Sequence, residues 1–189
     1  MSAAMIGKAA EVHKKYHEPG EVQVSSLISV KTGGCTEDCS YCPQAARYNT
    51  KVKVRKLMEV EEVNTLAENA KKGGASRMCL GAAWREVRDN SDFEKVLDMV
   101  RTINSKGMEV CATLGMLTEE QARKLADAGL YAYNHNIDTS EENYGNIIST
   151  RNFDDRINTI KNVRKALLTV CSGGIIGLGE SVEDRIVML

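Results

Sequence analysis

The sequence predicts an α/β fold of about five parallel βα units. Three observations carry this reading. Strand-like and helix-like patterns alternate along the chain at roughly 25- to 45-residue spacing, as βα units do. A join of helix end, glycine and short apolar strand recurs in "AKKGGASRMCLGAA", "NSKGMEVCATLG" and "ADAGLYAYNHNID". All six cysteines fall on or just after the strand-like segments, and none falls on a helix. In parallel α/β folds chemistry collects at the carboxyl ends of the strands, so the cysteines mark that end as the place to look.

Taken in order, "AAEVHKKYHEPG" reads as a helix, about residues 5–17, stopped by Pro19-Gly20. "VQVSSLISVKTGG" alternates apolar and polar residues before a glycine pair, which is a strand signal. After the cysteine loop, "MEVEEVNTLAENAKKGG" places Val60, Val63, Leu66, Ala67 and Ala70 at helical spacing and ends in Lys and Gly. Strand two follows with Cys79, then the helix "SDFEKVLDMVRTIN", then strand three with Cys111. "TEEQARKLAD" opens on Thr118 with Gln121 three residues on, a capping-box pattern. Strand four ends in Asn134, His135, Asn136 and Asp138. A fourth copy of the join, "VRKALLTVCSGGIIGLGE", leads into strand five and Cys171, but has Ala166-Leu167 where the others have glycine. A closed (βα)₈ barrel needs eight such units, so five imply either an open parallel sheet or an incomplete barrel.

Length and composition set bounds. The 189 residues, 42% hydrophobic and 27% charged, suit one domain over 1–189 with a core of its own. A net charge of −1 gives no electrostatic reason to expect nucleic acid or an anionic membrane as partner. No apolar run approaches the roughly 18 residues needed to span a bilayer. "MSAAMIGKAAEVHKKYHEPG" has neither a signal-peptide apolar block nor an Arg-rich presequence, so it reads as mature protein. The chain is longer than typical disulfide scaffolds, so reduced thiols in a cytosol-like compartment fit better, and there a close cysteine cluster is a metal or redox site.

That cluster is "GGCTEDCSYCPQ", with Cys35, Cys39 and Cys42. Zinc sites use four ligands in two close pairs, and no second pair exists. A thioredoxin-like site uses two thiols, and ferredoxin runs have different spacing. Three thiolates on a cubane iron–sulfur cluster would leave one iron open to a small molecule. For Cys79, Cys111 and Cys171 two readings stand: small buried apolar residues, or a shared site if they point into one cavity.

"CTEDCSYC" matches the CxxxCx(aromatic)C signature of radical S-adenosylmethionine (SAM) enzymes. With "VQVSSLISVKTGGCTEDCSYCPQAARY", "LMEVEEV", "GAAWRE", "CATLGMLTEEQARKLADAGLYAYNHNIDTS", "YGNIISTRNFDDR" and "VCSGGIIGLGE", the chain from about residue 21 onward resembles the biotin synthase family. The resemblance implies a radical SAM TIM-type barrel, here incomplete with about five βα units. It implies that Cys35, Cys39 and Cys42 hold a [4Fe–4S] cluster whose open iron is chelated by SAM. Tyr41 would lie near the adenine, Ala82 and Trp84 by the methionine moiety, and Asp138 at the ribose hydroxyls. Gly173, Ile175, Gly177 and Glu180 would shape the adenine side. Asn134 and Asn136 would contact substrate, with Asn136 also close to SAM, and Arg156 would meet a carboxylate unless it lies on a solvated helix face. Cys79, Cys111 and Cys171 would hold a [2Fe–2S] cluster.

The implied reaction is sulfur insertion converting dethiobiotin to biotin through a 5′-deoxyadenosyl radical, with no side chain acting as acid or base. Implied partners are dethiobiotin, SAM, an electron donor such as flavodoxin or ferredoxin, and a second copy in a homodimer. The expected compartment is the cytoplasm, or the mitochondrial matrix in a eukaryote. Family members continue well past "GLGE", so activity of the 189 residues alone is a separate question. The alternatives are a truncated, non-catalytic iron–sulfur-binding form and another radical SAM sulfurtransferase.

Overall fold

The structure, a computed structural model, describes residues 3–189. Its strands are β1 (Ser25–Lys31), β2 (Arg77–Ala82), β3 (Glu109–Thr113), β4 (Ala132–Asn134) and β5 (Thr169–Cys171). All pair in parallel, in the order β1-β2-β3-β4-β5. A doubly wound sheet reverses its strand order at a switch point, whereas a TIM-type barrel lays its strands down sequentially. The sequential order therefore decides between the two readings, and the sheet is an arc of an unclosed barrel.

The helices are α1 (Ala3–Tyr16), α2 (Val60–Lys72), α3 (Ser91–Asn104), α4 (Glu119–Asp127), α5 (Glu141–Ile147), α6 (Phe153–Lys165) and α7 (Val182–Met188). α3 shows why these segments are helical. Asn90 caps it by accepting from the Asp92 and Phe93 amides, and Phe93, Val96, Leu97, Val100 and Ile103 recur on the buried face. α4 carries both halves of the capping box that its sequence encodes, between Thr118 and Gln121. α1 buries no residue. No helix among the described residues is long and apolar enough to cross a membrane.

Side chains alternate along a strand, so each strand serves two faces. Met78, Leu80, Val110, Ala112 and Tyr133 point to the helices and form the core with Val96, Val100, Ile103, Leu125 and Val163. Full burial of each large apolar side chain is worth about 1.5–3 kcal/mol. The opposite parity faces the concave side: Leu27, Cys79, Cys111 and Ala132 in one row, Ser29, Gly81 and Thr113 in the next, with Asn134 opposite Cys171. This face is open, with Leu27 73% exposed.

Two features fix the carboxyl end of the sheet. The buried Tyr133 hydroxyl accepts from the Leu114 amide (3.0 Å) and donates to the Gly115 carbonyl (2.6 Å), tying β4 to the chain leaving β3. Gly115 has φ +87°, and a Cβ there would lie 2.5 Å from the Arg85 carbonyl oxygen, so only glycine passes.

The sequence reading needs two adjustments. β1 begins at Ser25, which leaves Val22 and Val24 outside it and exposed. α5 was not anticipated, because seven residues capped by Ser140 carry too little periodicity to register. The missing glycine has a visible consequence. The joins before β2, β3 and β4 use Gly74, Gly107 and Gly129 at φ +89°, +72° and +96°, and Leu167 adopts the same left-handed conformation at φ +61°. A Cβ in that region costs about 1–2 kcal/mol, and glycine returns part of the gain as chain entropy. Leu167 is 94% exposed and loses no packing on substitution. Leu167→Gly is expected to raise stability by roughly 0.5–1 kcal/mol, read as a higher denaturant midpoint at unchanged m-value; an unchanged or lower midpoint would refute the strain.

Candidate functional site

The cysteine loop leaves the carboxyl end of β1 through Gly33 and Gly34, both at positive φ. It is closed on itself. The Cys35 amide donates to the Gln44 carbonyl (3.0 Å), the Ala46 amide to the Cys35 carbonyl (2.8 Å), and the Cys42 amide to the Cys39 carbonyl (3.0 Å). The Lys31 ammonium donates to the Ala83 carbonyl (2.8 Å) and to that of Gly33, joining the loop to the end of β2. Burial holds the Lys31 pKa below its usual value.

Between the first two cysteines, Glu37 and Asp38 are buried, which for carboxylates demands partners. Residues 149–151 supply them. Asp38 accepts from the Ser149 amide (2.9 Å), the Thr150 amide (3.2 Å) and the Ser149 hydroxyl, and Arg47 adds an ion pair at 2.8 Å. The Ser149 hydroxyl leads the set of bonds that hold the Asp38 carboxyl well below the usual carboxylate range. Glu37 accepts from the Thr150 hydroxyl and lies 3.2 Å from an Arg85 nitrogen and 3.5 Å from one of Arg151. The Ser40 amide donates to the Ile147 carbonyl, and Cys39 packs against Tyr144, Ile147 and Ile148.

Loop and strand ends enclose a cavity of about 330 Å³. All three loop cysteines line it, with Tyr41, Ala82, Trp84, Asn134, Asn136 and Asp138 from β2, β4 and their loops. Its inner wall is charged. The buried Arg156 pairs with Asp138 and lies 3.4 Å from His135 Nε2, and the Tyr144 hydroxyl accepts from Arg151 (3.0 Å) and Arg156 (3.3 Å). A guanidinium only donates, so His135 Nε2 offers its lone pair and the ring is neutral. Burial, then Arg156 and Arg151, push the His135 pKa down to about 3. Burial, then the Asp138 charge, hold the Tyr41 hydroxyl above its ordinary value. The Asn134 Oδ1 atom is buried without a hydrogen-bond partner, an acceptor free for a ligand's donor.

The donor set fits a cluster better than a single ion. Among the described residues no three Cys, His, Asp or Glu side chains converge closely enough to hold one metal ion. An iron–sulfur cubane asks for thiols spread around a body several atoms wide. The wall offers three thiols, and its one histidine is turned to Arg156. Burial raises the Cys39 thiol pKa, and the Arg151 and Arg156 charges oppose the rise.

The strand cysteines form a second group. Cys79 and Cys111 are register partners, and Cys171 lies opposite Asn134, all on the concave face. They do not line the loop-cysteine cavity. Burial, then Cys79 by its charge and a hydrogen bond, then Cys171, push the Cys111 thiol up to about 12. With Cys79 and Cys171 both near enough to act on Cys111, the strand cysteines form a group rather than three isolated core residues.

The remaining residues sit at the border. The 173–175 segment runs beside 137–138, the Gly173 carbonyl accepting from the Ile137 amide (3.1 Å) and the Ile175 amide donating to the Asp138 carbonyl (2.7 Å). Gly173, Ile175, Gly177 and Glu180 do not line the cavity. Glu180 turns back on its own loop, accepting from the Gly177 (2.8 Å) and Leu178 (2.7 Å) amides and from Arg185 (2.8 Å), and this set of bonds, led by that from Gly177, lowers its pKa to about 2. The solvated-face reading of Arg156 is overturned: it is 8% exposed and its carboxylate partner is Asp138. Glu37, Asp38, Ser149, Thr150 and Arg151 had no assigned role in the sequence. An acidic pair between two cysteines was the available signal.

The Radical SAM superfamily profile matches residues 29–189. The chain is 64% identical over 185 residues to a biotin synthase of Cytophaga hutchinsonii, covering 98% of this chain and 55% of that one. It is 63% identical to one of Nostoc punctiforme with the same coverage. The chain thus spans about half the length of the curated relatives it matches. Among solved structures it superposes on methylornithine synthase (PylB), with a TM-score of 0.82 at 18% identity over 100% of this chain and 56% of that one. It also superposes on the [FeFe]-hydrogenase maturase HydG, with a TM-score of 0.77 at 19% identity over 100% of this chain and 44% of that one.

Two measurements test the charged wall. Arg156→Met removes the hydrogen-bonded partner of the buried Asp138, leaving it only the more distant Arg151, and is expected to cost about 3 kcal/mol, measured by denaturation at neutral pH; a loss under 1 kcal/mol would contradict the pairing. A His with a depressed folded pKa stabilises fully above its unfolded pKa of 6.5 and loses that contribution as pH falls toward about 3. His135→Gln is therefore expected to flatten the pH dependence of stability between those values, and an unchanged slope counts against a neutral His135.

Proposed function

The chain belongs to the radical SAM superfamily, and from that premise we propose that it carries the cluster- and SAM-binding part of a biotin synthase, which inserts sulfur into dethiobiotin. The observation that carries the reading is the pair of thiol groups on one sheet. Cys35, Cys39 and Cys42 open into the cavity at the strand ends, and Cys79, Cys111 and Cys171 share the concave face beside it. Identity of 64% to a biotin synthase supports the specific reaction over other members of the superfamily.

When bound, a [4Fe–4S] cluster and SAM supply reductive cleavage to methionine and a 5′-deoxyadenosyl radical, and a [2Fe–2S] cluster on the strand thiols supplies sulfur. The chain's own residues bind and orient. The three loop thiols would hold the first cluster, leaving one position for the amino acid end of SAM. Tyr41, Ala82 and Trp84 line the wall on which the rest of SAM would lie, with Asp138 as acceptor for its ribose hydroxyls and Asn136 near both ligands. The Arg156 pair holds Asp138 in place. Gly173, Ile175, Gly177 and Glu180 would act from the border, by fixing the backbone beside Asp138 rather than by side-chain contact. Asn134, with its unpaired carbonyl oxygen, suits an N–H donor such as those of dethiobiotin's cyclic urea. Strand-borne thiols and a buried polar wall suit a reaction that needs a dry, fixed geometry.

The reading includes a protein reductant such as flavodoxin or ferredoxin, pairing of two chains, and a cytoplasmic setting, the last supported by bacterial relatives. Anaerobic reconstitution with iron and sulfide tests it. Cys39→Ala is expected to lose the cubane spectrum and keep that of the second cluster, and Cys111→Ala to do the reverse. Equal loss of both signals in either variant would overturn the two-group assignment. Uptake of about four irons per chain with no cleavage of SAM would count against the enzymatic reading.

A further inference from the structure

Arg151 is the buried cation that reaches the sulfur of a loop cysteine. Its side chain is 4% exposed. One terminal nitrogen, Nη2, lies 3.3 Å from Cys39 Sγ and 3.8 Å from Asp138 Oδ2. The other, Nη1, lies 3.5 Å from Glu37 Oε1, and Nε donates to the Tyr144 hydroxyl at 3.0 Å. Nε and Nη2 are thus hydrogen-bonded and Nη1 faces a carboxylate in ion-pair range, which stabilises a buried guanidinium. Arg151 is not the loop's sole anchor. Ser149 and Thr150 already hold Asp38, and Thr150 and Arg85 already meet Glu37. What Arg151 adds is a fixed positive donor on the thiol of the middle cysteine.

We propose that Arg151 is a positioning residue that donates a charge-assisted hydrogen bond to the Cys39 thiolate and thereby raises the reduction potential of the cluster held by the loop. The inference rests on the cluster-binding reading above. Hydrogen bonds and nearby charge at the sulfurs are recognised levers on cluster potential. Reduction adds one negative charge to the cluster, and an immobile cation beside a ligand sulfur favours that form. A guanidinium cannot lose its proton, so the bias is permanent. The Tyr144 hydroxyl, bonded by Nε, and the Glu37 carboxylate, in ion-pair range of Nη1, oppose rotation of the group away from the sulfur.

The test compares the full chain as wild type, Arg151→Lys, Arg151→Gln, Arg151→Met and Ser149→Ala after anaerobic reconstitution. The readouts are iron content, the electron paramagnetic resonance of the reduced state, and redox titration. In Arg151→Met the ratio of reduced to oxidised cluster at a fixed potential should fall at least tenfold, a shift of about 59 mV for a one-electron couple. Arg151→Lys should recover part of it. Ser149→Ala should lower iron content without moving the potential of the cluster that loads. If Arg151→Met holds no cluster, Arg151→Gln against Arg151→Lys decides, a lower potential in the Gln variant supporting the inference. Wild-type potential in every loaded Arg151 variant overturns it. So does loss of iron from all three, which would make the role retention rather than tuning. Failure of the wild type to take up any cluster would instead sink the cluster-binding reading itself.

Discussion

Alternation of side chains along five parallel strands is the constraint on which the rest depends. One parity must be covered by helices, and Met78, Leu80, Val110, Ala112 and Tyr133 meet them there. The other parity is released from core packing. It carries Cys79, Cys111, Thr113, Asn134 and Cys171, residues that would be poor choices on the helix side. A one-residue slip of register would exchange the two sets and bury the polar one. The sequential strand order adds curvature, so the released face becomes concave and its row of thiols faces inward.

The cysteine loop solves a different problem. A loop with glycines at its entry and three thiols has little apolar area of its own. Its order comes from two buried carboxylates, and those in turn depend on a segment more than a hundred positions later in the chain. Removing either half would leave charges or amides without partners in a buried setting, which is more costly than losing an exposed contact. The same segment delivers Arg151 to Cys39 and, through Tyr144, touches the Arg156–Asp138 pair. Loop anchoring and the charge of the cavity wall are thus one network.

Much of this was legible in sequence because it is local. Spacing and stop signals located α1 to α4, Thr118 and Gln121 declared their capping box, and the absence of glycine at Leu167 announced a join that the backbone makes under strain. Cys35, Cys39 and Cys42 stood out by spacing alone. Other features were invisible for a common reason. Glu37 and Asp38 look like an exposed acidic pair until Ser149 and Thr150 are folded onto them, and Arg156 looks like one charge of a polar helix until α6 docks it beside Asp138. Only the fold shows that the Glu180 carboxylate accepts from the backbone of its own loop.

By itself, then, the sequence determined the alternation of strands and helices, the placement of every cysteine at or after a strand, and the close thiol triad of the loop. These follow from short-range rules of spacing, propensity and ligand chemistry. Tertiary structure alone decided that the sheet winds as a barrel arc, that the two thiol groups share one face, and that an arginine reaches the middle cysteine. Each of these depends on contacts between residues far apart in the chain, and charge burial, unlike helical period, is settled only when the partner is brought into place.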